Sequence, residues 1–247
     1  MDGQYLYMFK DQDSLYEPRN MFIWFLLAFQ GGALNTGGYL SVHRFVSHVT
    51  GFATLAGVAG AEMDFSTMIG MLLVPISFLF GVMISAWHAE RRRTLNKYPH
   101  YSFIFSIIVL NILLILVLGT QGFLGEFGES LSPQRDYFLL FMLAFTCGLQ
   151  NAVITSFSGA QVRTSHLTGL TTDFGIGLVR LWSSRKELHK KELFVTWTRF
   201  GIYWAFVIGS FVSALLYINF KFYGFLLPLV ISIFCAIRLR AIHKGNM

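Results

Sequence analysis

The feature that most limits what this chain can fold into is an internal duplication. One copy reads AFQGGALN at residues 28–35 and SHVTGFATLAG at 47–57; the other reads AFTCGLQN at 144–151 and SHLTGLTTDFG at 165–175. Aligned without gaps, 10 of the 19 paired positions are identical, where ordinary residue usage would give about one or two. Both copies follow one plan. An apolar helix runs into glycines and an Asn, a short polar passage follows, and Ser-His-x-Thr-Gly then opens a helix of small residues. The fold must therefore contain two equivalent pieces.

Composition places those pieces in a membrane. Of 247 residues, 54% are hydrophobic and 13% charged, against roughly 25% charged in an average soluble domain. Aromatics reach 17%, with 26 Phe. Apolar spans are expected at about 21–40, 66–87, 102–119, 137–155, 194–218 and 222–237, with Pro75 kinking the second. Two further helices, 48–61 and 166–181, are too short or too polar to span. The 14 residues of the first reach about 21 Å, less than a hydrocarbon core of roughly 30 Å.

Lysine and arginine mark cytoplasmic loops. Arg91, Arg92, Arg93 and Lys97 form one basic loop, Arg180, Arg185, Lys186, Lys190 and Lys191 another, and Arg238, Arg240 and Lys244 follow the last span. The chain must cross an even number of times between basic loops, so the short helices are read as broken or re-entrant half-helices. The expected fold is an all-α integral membrane protein: six transmembrane helices, two half-helices, and two inverted repeats. The division is a cytoplasmic segment 1–20, a first repeat 21–119, an external linker 120–136, a second repeat 137–238 and a basic cytoplasmic tail 239–247. The positive charge follows this topology and gives no sign of nucleic-acid binding. The partners expected are the lipid bilayer, a small solute and a second copy of the chain in a homodimer. Cys147 and Cys235 read as buried hydrophobes.

Paired broken helices are the best sequence pointer to a transporter's binding site. Ser47 and Ser165 are expected to cap the half-helices, with Thr50 and Thr168 adding hydroxyls. Two helix N-termini approaching the midplane from opposite sides would suit an anion or polar ligand. Arg44 and Arg163 lie just ahead of the breaks, and either would pair with Asp173, an ionisable residue on an apolar half-helix. Asn35 and Asn151 would satisfy carbonyls freed at the breaks. His48 and His166 are open to two readings, as proton or metal carriers or as structural hydrogen-bonders. Gly51, Gly57, Gly169 and Gly175 would permit close helix packing.

The same residues are similar to those of the YoaK-like family of bacterial inner-membrane proteins, known as domain of unknown function 1275. The resemblance covers nearly the whole chain and rests on FVSHVTG at 45–51, CGLQNAV at 147–153 and VRTSHLTG at 162–169. It implies a compact six-span inner-membrane protein with no settled substrate. In that family an Asp often stands where this chain has Asn35, and an Asn where it has Phe52.

The expected function is a small secondary transporter or channel for a polar or anionic solute held between the repeats. A membrane-embedded enzyme and a scaffold or regulator are the alternatives. No HExxH, Gly-x-Ser-x-Gly or metal-spaced Cys/His cluster supports catalysis, so no catalytic residue, metal or cofactor is expected.

Overall fold

A computed structural model describes residues 18–97, 99–129, 133–158, 166–183 and 186–245. These residues form α1 (Pro18–Val42), α2 (Val49–Ala61), α3 (Phe65–Thr94), α4 (Tyr101–Thr120), α5 (Pro133–Phe157), α6 (Leu167–Ser183), α7 (Lys186–Phe220) and α8 (Leu226–Gly245). A 3-10 turn, Lys221–Phe225, joins the last two. No strand occurs among the described residues.

Phe65–Thr94, Tyr101–Thr120, Arg135–Ser156 and Glu192–Arg240 are long and apolar enough to cross a membrane, the last containing most of both α7 and α8. The secondary structure of the described residues is thus all-helical, and its long apolar stretches are those of an all-α membrane protein by length and composition. Gln30, Asn35, Thr36 and four glycines make α1 less apolar, yet Trp24, Leu27, Ala28 and Leu34 on it are buried. The expected Pro75 falls within α3, whose helix continues through it.

The principal packing pairs α1 with α7 and α3 with α5, and α4 lies against α8. Both principal pairs are built by one device. Phe29-x-x-Gly32 meets Phe206-x-x-Gly209, so that each glycine lies against the partner phenylalanine's carbonyl. Phe78-x-x-Gly81 meets Phe145-x-x-Gly148 in the same reciprocal way. A side chain on any of the four glycines would strike backbone, which is why the helices approach this closely. Within each pair the helices run in the same direction. Along α1 and α7, Phe25 meets Gly201, Gly32 meets Phe206, and Gly37 meets Tyr217. Along α3 and α5, Gly70 meets Tyr137, Gly81 meets Phe145, and Arg93 reaches Ser156.

Polar bridges repeat the pattern. Gln30 on α1 donates to the Ser232 hydroxyl on α8 at 2.6 Å, and Asn111 on α4 donates to the Thr146 hydroxyl on α5 at 2.6 Å. Such bonds hold more firmly in an apolar surround than in water.

The two ends of the helix bundle differ. At one, Phe127 stacks on Tyr217 at 5.8 Å and meets Phe222 edge-on at 5.1 Å, and Gly128 N–H donates to the Ser41 carbonyl at 3.3 Å. Asp64 caps α3 there. Its bonds to Thr67 hold the carboxyl below the usual carboxylate range. At the other end the Arg93 guanidinium donates to the Ser156 carbonyl at 2.7 Å and the Tyr101 hydroxyl at 3.3 Å, satisfying a carbonyl in the last turn of α5.

Candidate functional site

The first break is shorter than the sequence suggests. α1 does not end at its glycines and Asn35 but continues to Val42, leaving only residues 43–48 to connect it to α2. Helical bonding tolerates the glycines because neighbouring side chains pack over them: Tyr217 and Phe225 lie against Gly37, and Val46 against Gly38. The connecting segment then turns back along α1. Asn35 accepts from the Ser47 N–H and hydroxyl at 3.1 Å each. Its amide nitrogen lies 2.9 Å from the Gly31 carbonyl and 2.9 Å from the Ser47 hydroxyl. Asn35 stands seven residues before the end of α1, about 10 Å along the helix axis. The start of α2 is therefore set back by about that depth from the end of α1.

Ser47 is not the N-cap. His48 holds that position, with φ −91° and ψ 65° and no side-chain cap bond, because the Ser47 hydroxyl is already engaged by Asn35. Asn35 thus ties the two sides of the break together rather than only satisfying a freed carbonyl. The His48 ring folds over the first turn of α2 and touches the position a Cβ on Gly51 would occupy. Gly51 makes room for an imidazole here. Gly57 and Gly175 serve no close packing, since nothing lies within 4 Å of a Cβ at either.

A cavity of about 960 Å³ lies against this break. Asn35, Thr36, Tyr39 and Leu40 of α1 line it, as do Phe45, Ser47, His48, Val49 and Thr50. From the second half come His166, Leu167, Thr168 and Gly169, and from α7 Phe206, Ser210, Phe211 and Ala214. The Ser-His-x-Thr-Gly passages of both copies therefore reach one cavity, although well over a hundred residues separate them in sequence. Both short helices begin alike: Phe52 N–H donates to the His48 carbonyl at 3.2 Å, and Leu170 N–H to that of His166 at 2.9 Å.

The other expected site residues lie elsewhere. Arg44 is half-buried beside the break, donating to its neighbour's carbonyl, that of His43, at 3.0 Å. Asn151 is half-buried on α5, outside the cavity lining. Arg163 and Ser165 lie outside the described residues. Asp173 forms no ion pair with Arg44; instead Arg199 on α7 donates to its backbone carbonyl at 3.1 Å. Arg199 was not expected, since α7 gives no sequence sign of packing on α6. The α7 lining was equally hidden, because Phe206, Phe211 and Ala214 look like any apolar span. Among the described residues no group of three or more His, Cys, Asp or Glu could hold a metal.

A family model described as "Protein of unknown function (DUF1275)" matches residues 23–238. Neither the curated proteins nor the solved structures contain a match. The family match takes in both breaks, every cavity-lining residue and the four glycines of the two crossings, so the chain belongs to the DUF1275 family.

Proposed function

We propose that the protein is a small secondary transporter or channel whose small anionic or polar solute occupies the cavity between two inverted repeats. The observation that carries this reading is the convergence of both Ser-His-x-Thr-Gly passages on one cavity. Such convergence of paired helix breaks is the arrangement by which inverted-repeat transporters bind solute.

Direction and packing support the inversion. α1 ends beside the 121–129 segment that precedes α5, while Gln150, late in α5, donates to the carbonyl of Leu27, early in α1, at 2.9 Å. The two duplicated helices thus run in opposite senses. In this reading α1, α3, α4, α5, α7 and α8 are six spans in a bacterial inner membrane, with both termini and the basic loops in the cytoplasm. α2 and α6 are half-helices. Thirteen residues give α2 a length of about 20 Å, short of the roughly 30 Å core. The first N–H groups of each half-helix lack intrahelical partners. With the hydroxyls of Thr50 and Thr168, they offer donors to an anionic or polar solute.

The test is binding by the purified protein to a panel of small anions and neutral metabolites, read as thermal stabilisation, compared with Ala214→Phe. The substitution fills part of the cavity, so stabilisation by any hit should fall at least about tenfold in apparent affinity. A hit that binds both proteins equally would contradict the cavity assignment.

A further inference from the structure

We infer that the C-terminal end of α3 binds one anionic phospholipid, with the phosphate held at Arg91 and Trp87 and an acyl chain lying along the exposed face of the helix. From the proposed function the inference takes only that α3 spans the bilayer; the cavity plays no part in it.

Helix geometry separates three consecutive arginines. A loop is expected at Arg91, Arg92 and Arg93, but α3 continues to Thr94 and carries all three. At about 100° per residue, Arg91 and Arg93 lie on nearly opposite faces. Arg93 turns inward. Its side chain is 13% exposed, pairs with Glu90, and donates to the Ser156 carbonyl and the Tyr101 hydroxyl. Arg91 is exposed, and its guanidinium lies over the Trp87 ring, one turn earlier, at 5.1 Å. Trp87 is itself 64% exposed.

The last carbonyls of a helix often draw arginine side chains, and here the backbone meets that need. Asn96 enters the left-handed region at φ 54°. Its N–H donates to the Arg93 carbonyl at 2.9 Å, that of Lys97 to the Arg92 carbonyl at 2.8 Å, and that of Leu95 to the Arg91 carbonyl at 3.3 Å. The same turn brings Lys97, also exposed, back beside the end of α3. Stacking on Trp87 uses the flat face of the Arg91 guanidinium and leaves its N–H edge for acceptors. A phosphate diester accepts two such bonds side by side, and tryptophan is favoured at headgroup level.

Below this pair the exposed apolar face is continuous. Ile76, Leu79, Phe80, Met83 and Trp87 are all exposed and recur at three- and four-residue steps, which makes them one stripe. Trp87 to Ile76 is about 16 Å along the axis, close to half of the roughly 30 Å core and so to the reach of one acyl chain. Of the four long apolar stretches, α3 is the least covered by the rest of the protein. A zwitterionic lipid fits the stripe equally well but gains less at Arg91, because its own ammonium offsets the phosphate.

Native mass spectrometry of the full-length protein, with phosphatidylglycerol and phosphatidylcholine of identical chains added in detergent, reads the affinity for each. Phosphatidylglycerol should bind at least about fivefold more tightly. Arg91→Gln should remove most of that preference and Arg91→Lys only part of it. Trp87→Leu should lower phosphatidylglycerol affinity about two- to fivefold. Thermal unfolding of all three variants should stay as in the parent. Arg238→Gln, which removes an exposed arginine of α8 at the same end of the bundle, should leave the preference unchanged.

Equal binding of the two lipids overturns the inference, as does a preference that survives Arg91→Gln or falls as far in Arg238→Gln. A dimer that retains neither lipid would give the stripe to a second copy and overturn it too. Each of these results leaves the cavity to be decided separately by Ala214→Phe on α7.

Discussion

At the two long crossings the halves of the molecule use the same residues in the same way; among the described residues they contribute unequally to the cavity. Phe29 and Gly32 against Phe206 and Gly209 repeat in Phe78 and Gly81 against Phe145 and Gly148. The cavity draws instead on the end of α1, the 43–48 segment, the starts of α2 and α6, and α7. α3 stands to α5 as α7 stands to α1, yet supplies none of its lining. Close backbone packing tolerates little variation, because a single Cβ would displace a whole helix. A solute site tolerates more, and a transporter needs one that favours a single opening at a time. The equal frame and the unequal site are therefore compatible products of one duplication.

The crossings should give the largest effects. Gly209→Val and Gly81→Val each drive a side chain into the carbonyl of a phenylalanine on the neighbouring helix. Each should cost about 3 kcal/mol, read as loss of folded protein in detergent by thermal unfolding. A large difference between the two would break the equivalence of the crossings.

The Asn35 tie should come next. Asn35 is 7% exposed and bonds to Gly31 and to both polar groups of Ser47. Asn35→Ala should cost about 1–3 kcal/mol through the buried groups left unpaired. Asn35→Asp keeps the acceptor for Ser47 but cannot donate to the Gly31 carbonyl, and should fall between. Equal stability of the three proteins would show that the fold-back does not depend on this residue.

The smallest effects belong to Gly57 and Gly175. With open space around both, Gly57→Ala and Gly175→Ala should each stabilise their helix by about 0.5–1 kcal/mol, a slight rise in melting temperature. Destabilisation of either would point to a close neighbour at that position and sharpen the contrast with the crossings.

Much of the frame was legible in the sequence. Hydropathy located the helices, and the duplication identified the passages that meet at the cavity. The half-helix starts were placed almost to the residue, at 48 and 166 against Val49 and Leu167. What escaped was decided by distant partners. Ser47 looks like a helix cap until Asn35 engages it, twelve residues away. Phe-x-x-Gly occurs in all four crossing helices but signifies nothing until the helices are paired. Arg199 became Asp173's neighbour through the packing of α6 on α7, which no local pattern encodes. Gly57 and Gly175 suggested close packing by type alone, and their surroundings are open.

The most direct test of the central claim is cross-linking between the two breaks. Thr50→Cys and Thr168→Cys place one thiol at the start of each short helix, in a background where the buried Cys147 and Cys235 are replaced by Ala. In native membranes a short bis-thiol reagent should join the pair within one chain, and Thr50→Cys with Trp182→Cys, at the far end of α6, should not be joined. Cross-linking of the distant pair but not of Thr50→Cys with Thr168→Cys would contradict a shared cavity.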